Sequence, residues 1–279
     1  MKLRAVILGC GSSGGVPRIG GPDGRGDWGA CDPSEPRNRR MRCSIAIQRA
    51  HENGSWEGDL TTILIDTSPD MRLQLIGNGI RLVDAVLITH DHADQTHGMD
   101  DLRAVALQNM ARVPVYISEH TSPAIKHRFR YLFEQLPGSA YPAILDRIEM
   151  PEDGQTAWID GPTGPIPFTP FLQKHGRVPS HGFRCGPFAY SADLNDMEPE
   201  SWPIVEGVDC WIIDALQYKP HGSHLHLEKS LEFLERAGAR TGVLTNLHVV
   251  MDYNTLAKEV PDNVDPAYDG MTIEREWQE

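Results

Sequence analysis

The sequence predicts an α/β protein, because short apolar runs typical of buried strands alternate with amphipathic helical patterns. Each run stops at a polar residue, and glycine-rich connections join several of the runs to the helical segments. We predict strands at 5–8, 62–65, 85–88, 113–117, 188–191, 210–213 and 242–244.

Two helical faces support this fold class, one in each half of the chain. They consist of Met99, Leu102, Val105, Ala106 and Met110, and of Leu227, Leu231, Leu234 and Ala237. Segment 11–42 has the composition of a long ordered loop, segment 48–59 that of a polar hairpin tip, and segment 161–170 that of a turn into an extended stretch. None of the three is typical of a domain boundary, so residues 1–279 are predicted to form one domain.

Composition narrows the classes of function. Of the 279 residues, 40% are hydrophobic and 23% are charged, as in ordinary globular proteins. The chain has 26 Lys and Arg against 39 Asp and Glu, and the resulting charge of −13 disfavours attraction to long nucleic acids. The sequence contains no apolar stretch of the ~18 residues that a membrane span needs, and its first apolar run leads into glycines rather than a signal peptide. We therefore expect a cytoplasmic protein that binds neither membrane nor nucleic acid.

The five cysteines are odd in number and lie far apart in the sequence. No CxxC spacing occurs, so the pattern predicts neither a disulfide framework nor a cysteine zinc site. They are Cys10, Cys31, Cys43, Cys185 and Cys210.

The strongest functional signal is segment 89–95, with the sequence Thr-His-Asp-His-Ala-Asp-Gln. It follows an apolar strand and precedes the first helical face. His90, His92 and Asp94 alternate at the end of that strand, where their side chains can converge on one point. Imidazole and carboxylate together suit Zn²⁺ and its first-row neighbours. This pattern predicts a metal site.

Segment 89–95 resembles the HxHxDH signature of the metallo-β-lactamase superfamily. Four further segments resemble the PhnP-type phosphodiesterase branch of that superfamily, and they occur in its order: the glycine turn at 9–17, the basic stretch at 39–44, Ile-Asp-Thr at 65–67 and Tyr-Asp-Gly-Met at 268–271. The resemblance implies a four-layer αβ/βα sandwich that holds two divalent metal ions, zinc or manganese.

The resemblance also implies the metal ligands. His175 matches the third histidine of the first metal, Asp193 the carboxylate that bridges both metals, and His248 the final histidine of the second. Asp193 and His248 each follow an apolar strand, which agrees with the usual place of ligands in α/β proteins. The implied metal set is His90, His92, Asp94, Gln95, His175, Asp193 and His248.

Gln95 departs from the family, which has histidine at this position of the second metal site. A neutral amide oxygen is a poorer ligand for zinc than imidazole and suits harder cations such as Mn²⁺ better. We therefore expect a weaker second site. His97 and His181 lie near ligand positions in the sequence, but a plain polar role explains each of them better. The early loop keeps only Cys31 of the cysteines that hold a structural zinc in phosphonate-operon members, so no structural zinc is expected.

The resemblance assigns a substrate-side role to His224, which acts on the leaving group, while its neighbours His221 and His226 are expected to face solvent or to support the site. Asp66 resembles a carboxylate that orients a metal-bound histidine. The arginines at 39–42 either meet substrate phosphate or form a solvated basic run. The implied catalytic residues are Asp94, Asp193 and His224.

The function that the resemblance implies is hydrolysis of a small or cyclic nucleotide-like phosphodiester through a metal-bound hydroxide, with His224 protonating the leaving group. One alternative is another hydrolase on the same fold, namely a tRNA 3′-end nuclease, a thioesterase or a lactamase. The other is a PqqB-like binding or carrier protein, which Gln95 favours and the remaining ligand residues oppose. A nuclease would need a basic arm, and the sequence shows none. Family analogy alone implies a homodimer.

Overall fold

The computed structural model describes residues 1–278, and its strands form two sheets. In chain order the strands are β1 (Lys2–Gly9), β2 (Ser44–Arg49), β3 (Thr61–Ile65), β4 (Ala85–Leu87), β5 (Val113–Ile117), β6 (Leu145–Glu149), β7 (Ala157–Ile159), β8 (Ile166–His175), β9 (Val178–Cys185), β10 (Phe188–Ser191), β11 (Asp196–Met197), β12 (Cys210–Asp214), β13 (Thr241–Thr245), β14 (Val264–Pro266) and β15 (Thr272–Glu276).

The two sheets have similar strand arrangements. The first has the order β15-β1-β2-β3-β4-β5-β6, and the second has the order β11-β8-β9-β10-β12-β13-β14, with β7 paired to β8. Strands β3 to β6 are parallel in the first sheet, and β10, β12, β13 and β14 are parallel in the second. Since parallel strands end at the same edge of a sheet, the loops that follow them gather there.

Helices cover the outer face of each sheet. They are α1 (Met71–Gly77), α2 (Ala93–Thr96), α3 (Leu102–Asn109), α4 (Ser122–Phe133), α5 (Trp202–Val205), α6 (Leu227–Ala237) and α7 (Tyr253–Glu259). Residues of α1, α3 and α4 pack on the first sheet, and residues of α5, α6 and α7 pack on the second.

The core between the sheets follows from the alternation of side chains along each strand. On β3, Ile63 and Ile65 point into the inter-sheet core, which also contains Phe168 and Phe183, while Leu64 packs under the helices. Each sheet is therefore buried on both faces, as parallel sheets require. These layers confirm the predicted four-layer αβ/βα sandwich.

Every predicted strand is present, and those at 113–117 and 188–191 match β5 and β10 to the residue. The predicted face of α3 extends one residue too far. Met110 takes a left-handed conformation at the C-cap, with φ of 49°, and is 93% exposed. The face ends there because the backbone leaves the helix at this residue. Within residues 1–278, no helix is both long enough and apolar enough to cross a membrane.

Three strands are followed, within two residues, by a residue with a positive φ angle. Asp66 follows β3 with φ of 63°, Asp193 lies two residues after β10 with φ of 48°, and Asn246 follows β13 with φ of 62°. Asp and Asn are among the few residues besides glycine that tolerate this region. All three are buried, and the sharp change in chain direction turns a polar side chain inward at the edge where the strands end.

The loop that carries segment 89–95 is tied to the end of β3. Thr67 N donates to Gln95 O at 2.8 Å, and Gly98 N donates to Thr67 O at 2.9 Å. The backbones approach so closely at Gly98 that a Cβ atom there would lie 2.0 Å from the carbonyl oxygen of Ser68. Glycine at this position therefore sets how near the loop lies to the strand.

We predict that Gly98→Ala lowers the free energy of unfolding by about 3 kcal/mol, because the new methyl group meets backbone rather than a movable side chain. Gly77→Ala is the matched control. A Cβ atom at Gly77, the last residue of α1, meets nothing within 4 Å, so alanine there should raise the free energy of unfolding by about 0.5 kcal/mol. Urea denaturation followed by circular dichroism measures both. Equal effects of the two variants would contradict this account of Gly98.

Candidate metal centre

Three histidines from two separate segments surround one point at the edge between the sheets. The ring centroids of His90 and His92 lie 4.4 Å apart, and the ring of His175 lies 5.1 Å from the first and 5.0 Å from the second. One nitrogen from each ring lies within 4.8 Å of the other two. His90 and His92 follow β4, and His175 ends β8. The structure thus brings His175 next to two histidines that lie more than 80 residues earlier in the sequence.

The protonation of these rings suits a metal. Burial lowers the pKa of His90 to about 3 and also lowers the pKa of His175, so both imidazoles are neutral at physiological pH. Among residues 1–278, the buried Nε2 atom of His90 has no hydrogen-bond partner. A buried polar atom without a partner is costly, and a metal ion at this point would use it. The donor set fits a divalent cation such as Zn²⁺.

Hydrogen bonds fix the orientation of two of the rings. His175 Nδ1 lies 2.7 Å from the carbonyl oxygen of Ser223, so Nδ1 carries the hydrogen and donates it to this oxygen. Nε2 then has a free lone pair that can bind a metal ion. His90 Nδ1 lies 3.0 Å from Thr89 Oγ1, which donates in turn to Asp66 Oδ2 at 2.8 Å. Asp66 therefore orients His90 through the Thr89 hydroxyl rather than by direct contact.

Asp193 lies beneath the histidines, and two amide side chains hold it. Gln95 Nε2 donates to Asp193 Oδ2 at 2.8 Å, and Asn246 Nδ2 donates to Asp193 Oδ1 at 2.6 Å. His90 Nε2 lies 3.5 Å from the same Oδ2 atom. Asp94 is close enough that the charge of Asp193, after burial, contributes to raising the pKa of Asp94 to about 6.

The structure does not bring His248 into this group. Asn246 takes the place next to Asp193 because it comes directly after β13, where the chain turns. His248 lies two residues further on, half-buried, and its Nδ1 accepts a hydrogen bond from Val250 N at 3.3 Å. Burial lowers the pKa of His248, and nearby Arg18 and His221 add to this effect. His248 lies in the wall of the cavity described below. Asn246 was not predicted from the sequence, although its position at a strand end was a usable signal.

His224 forms a second buried arrangement with Asp214, the last residue of β12. His224 Nδ1 donates to Asp214 Oδ2 at 2.8 Å and lies 3.5 Å from Asp193 Oδ1. Burial disfavours the imidazolium, but the hydrogen bond and charge of Asp214 outweigh it and raise the pKa of His224 to about 9. Asp193, Asp214 and His224 also lie close together, but the hydrogen that Nδ1 of His224 donates to Asp214 leaves this nitrogen no lone pair for a cation. Asp214 was not predicted from the sequence.

Both groups open onto one cavity of about 330 Å³. A cavity of this volume lies near the lower end of the range for small-molecule sites, roughly 300–1,000 Å³. Its lining residues are Ser12, Ser13, Arg18, His92, Asp94, His175, Asp193, Leu216, Gln217, His221, Ser223, His224, Asn246 and His248.

The arginines of the basic stretch contact protein groups instead of this cavity. Arg42 forms a bidentate pair with Asp70, at 2.8 and 2.6 Å, and Arg40 is buried with its guanidinium 3.1 Å from Asn38 Oδ1. The guanidinium carbon of Arg39 lies 5.1 Å from the centre of the Trp28 ring. The sequence left two roles open for this stretch, contact with substrate phosphate or a solvated basic run. The structure shows instead that all three arginines contact other groups of the protein.

The two histidines near ligand positions also lie outside the centre. The ring of His97 meets that of Phe129 edge to face, with 5.5 Å between ring centroids, and His181 Nε2 lies 3.4 Å from Asp153 Oδ1. His226 occupies the N-cap position of α6 without a side-chain capping bond, and its Nε2 lies 4.0 Å from Glu228 Oε2. None of these three lines the cavity, whereas His221 does.

We predict that Thr89→Val weakens metal binding about 10- to 100-fold, because it removes the hydroxyl that links His90 to Asp66. Calorimetric titration of the metal-free protein with Zn²⁺ measures the change. Thr241→Val, at the start of β13, is the matched control for the loss of one hydroxyl and should bind Zn²⁺ as the unmodified chain does. An unchanged affinity in Thr89→Val would show that His90 needs no support from this hydroxyl.

Comparison with known proteins identifies the family. A model of the β-lactamase superfamily domain matches residues 61–246. A crystal structure described as a new diphosphatase from the PhnP family is 30% identical, with a TM-score of 0.83, and the alignment covers 99% of this chain and 98% of that one. Zn²⁺-bound PqqB from Methylobacterium extorquens is 15% identical with a TM-score of 0.66, covering 97% and 99% of the two chains. At that identity the likeness shows the fold alone.

A longer relative comes from Porphyromonas gingivalis (strain ATCC BAA-308 / W83). This protein, named octanoyltransferase, is 29% identical over 271 residues, which are 96% of this chain and 51% of the relative. The chain spans about half the length of this curated relative, so the name describes a protein of which only part is matched here. The superfamily model covers well over half of the chain, and the PhnP-family diphosphatase aligns over nearly all of it. The chain therefore belongs to the β-lactamase superfamily, with the hydrolase fold predicted from its sequence, and within that superfamily to the PhnP family.

Proposed function

We propose that the chain hydrolyses small phosphodiesters. The observation that carries this proposal is the position of the His224–Asp214 pair, which lies on the same cavity as the three-histidine metal site. A metal bound there would supply Lewis-acid activation of water and of a phosphoryl oxygen. The remaining steps depend on residues of the chain.

His224 is placed to act on the leaving group. Asp214 accepts a hydrogen bond from His224 Nδ1, so Nε2 is the nitrogen that can reach the substrate. As the oxygen of water bonds to phosphorus, the bond from phosphorus to the leaving oxygen breaks, and His224 gives its proton to that oxygen. The attacking water must also lose a proton to a nearby base. Asp94 and Asp193 are the carboxylates that line the same cavity, so either is placed to accept that proton.

The wall of the cavity also offers donors for an anionic group. Within residues 1–278, Arg18 Nε and Ser12 Oγ are buried without a hydrogen-bond partner, and both residues line the cavity. A phosphate oxygen would satisfy both atoms, since charged hydrogen bonds from a guanidinium are among the stronger ones. The small volume of the cavity favours a nucleotide-sized substrate over a polymer.

The 30% identical diphosphatase supports a second candidate, hydrolysis of a diphosphate. Hydrolysis of a phosphodiester and of a diphosphate both displace a leaving oxygen from phosphorus. The two reactions differ in whether that oxygen must be protonated as it leaves. A departing phosphate leaves readily, whereas an alkoxide does not. The role of His224 therefore separates the two candidates.

We predict that His224→Ala lowers kcat for a 2′,3′-cyclic nucleotide about 10²- to 10⁴-fold, because its alkoxide leaving group requires a general acid. For bis-p-nitrophenyl phosphate the loss should be much smaller, since p-nitrophenolate leaves without protonation. Steady-state assays with added Mn²⁺ or Zn²⁺ measure kcat of the variant and of the unmodified chain for both substrates. The metal content of the variant, measured by mass spectrometry, should equal that of the unmodified chain.

His226→Ala is the control, because this neighbouring histidine occupies the N-cap position of α6 without a side-chain capping bond and does not line the cavity. It should leave both rates unchanged. Equal losses for the two substrates, or loss of metal from His224→Ala, would contradict the general-acid role. Rapid turnover of a nucleoside diphosphate derivative with no turnover of the cyclic nucleotide would favour the diphosphatase instead.

A further inference from the structure

We infer that this chain holds one metal ion at its active centre, and that the amide groups of Gln95 and Asn246 replace a second one. This inference concerns the metal content and does not depend on which substrate the chain hydrolyses. It rests on how the carboxylate of Asp193 is occupied.

Both oxygens of Asp193 already have donors. Gln95 donates to Oδ2 at 2.8 Å, and Asn246 donates to Oδ1 at 2.6 Å. A carboxylate that bridges two cations would instead direct one oxygen at each of them. Oδ2 also lies 3.5 Å from His90 Nε2, beside the first site, while each oxygen already accepts a hydrogen bond from an amide N–H group.

The orientation of the amides follows from the contacts. If either amide were turned over, its carbonyl oxygen would lie within 3 Å of a carboxylate oxygen, and the two negative ends would repel each other. The nitrogen therefore faces Asp193 in both cases. An amide nitrogen has no free lone pair with which to coordinate a cation, so neither group presents a ligand atom to a cation beside Asp193 in this orientation.

Gln95 lies between the two carboxylates that a second metal would share. Its Nε2 atom is 2.8 Å from Asp193 and 3.4 Å from Asp94 Oδ2. The side chain is fully buried, and Thr67 N donates to its backbone carbonyl oxygen, which fixes the chain at this residue. The two amide N–H groups thus supply to Asp193 the positive potential that a second cation would supply.

The alternative is an all-oxygen second site, in which both amides turn and present their carbonyl oxygens with Asp94 and Asp193. Such a site would favour a hard cation such as Mn²⁺. The proposal excludes it, because both donors to Asp193 would be lost at once and a buried carboxylate would have to be satisfied by the ion alone.

The experiment counts metal ions per chain. The full chain is saturated with Zn²⁺ or, separately, with Mn²⁺, passed through a desalting column and measured by inductively coupled plasma mass spectrometry. We expect one equivalent of either metal, and an electron paramagnetic resonance spectrum of isolated Mn²⁺ rather than of a coupled pair. Two equivalents, or a coupled Mn²⁺ spectrum, overturn the proposal.

Two double variants test whether the amides are the cause. Gln95→His/Asn246→His exchanges both amides for imidazoles and should raise the count to about two equivalents. Histidine tolerates the left-handed backbone at position 246 better than most residues do. Gln155→His/Asn254→His makes the same two exchanges at exposed positions and should stay at one. A count of one in the first variant would show that other residues exclude the second ion.

If the buried double variant does not fold, Asn246→His alone replaces it, and the counts of the unmodified chain still decide the question. The outcome is separable from the proposed function, since no substrate is present. A chain that binds one metal but hydrolyses no phosphodiester would support this inference and refute the proposed reaction.

Discussion

The burial of one carboxylate governs the rest of the centre. Asp193 is 2% exposed, and a charge so far from water is costly unless hydrogen bonds and nearby positive groups offset it. The groups that do so come from both sheets. His90 and Gln95 follow β4 of the first sheet, while Asn246 and His224 follow β13 and β12 of the second. The carboxylate therefore ties the two halves of the sandwich together at the edge where the reaction would occur.

The side chains around the carboxylate are themselves held in place. Thr89 and Asp66 fix His90, the carbonyl oxygen of Ser223 fixes His175, and Asp214 fixes His224. Each of these supports lies at a strand end or in the loop that follows, so the geometry of the sheets is passed on to the metal-facing nitrogens. A centre supported in this way is organised before any ion or substrate arrives, which lowers the cost of binding either.

Much of the fold could be predicted from the sequence because its buried strands are apolar throughout. The runs at β5 and β10 stand out for this reason. The long strands β8 and β9 were missed beyond the turn at 161–170, since prolines and polar residues interrupt them. Helix α4 was missed because its buried residues, Ile125, Phe129 and Leu132, lie among charged ones. Pairing partners supplied by the neighbouring sheet decide these elements, and a local pattern does not contain that information.

The residues of the metal centre, like the elements of the fold, could be predicted in part from the sequence. The histidines of segment 89–95 stand out locally, while His175 and Asp193 were identified from the family pattern and their strand ends. Asn246 directly follows β13, so the strand-end rule could have identified it, but which of Asn246 and His248 lies next to Asp193 depends on where the chain turns after β13, and a local pattern does not contain that information. Asp214 was overlooked as the polar end of an apolar run, although the same rule that located Asp193 applies to it.

The left-handed residue at the end of β13 bears on how such centres change over generations. The backbone there accepts few side chains, and asparagine and histidine are both among them. In the genetic code a single nucleotide separates asparagine from histidine, and a single nucleotide also separates glutamine from histidine. If the two amides exclude a second ion, as we infer, chains that hold one metal ion and chains that hold two are close neighbours in sequence space. A lineage can pass from one to the other without rebuilding the loops that present these residues.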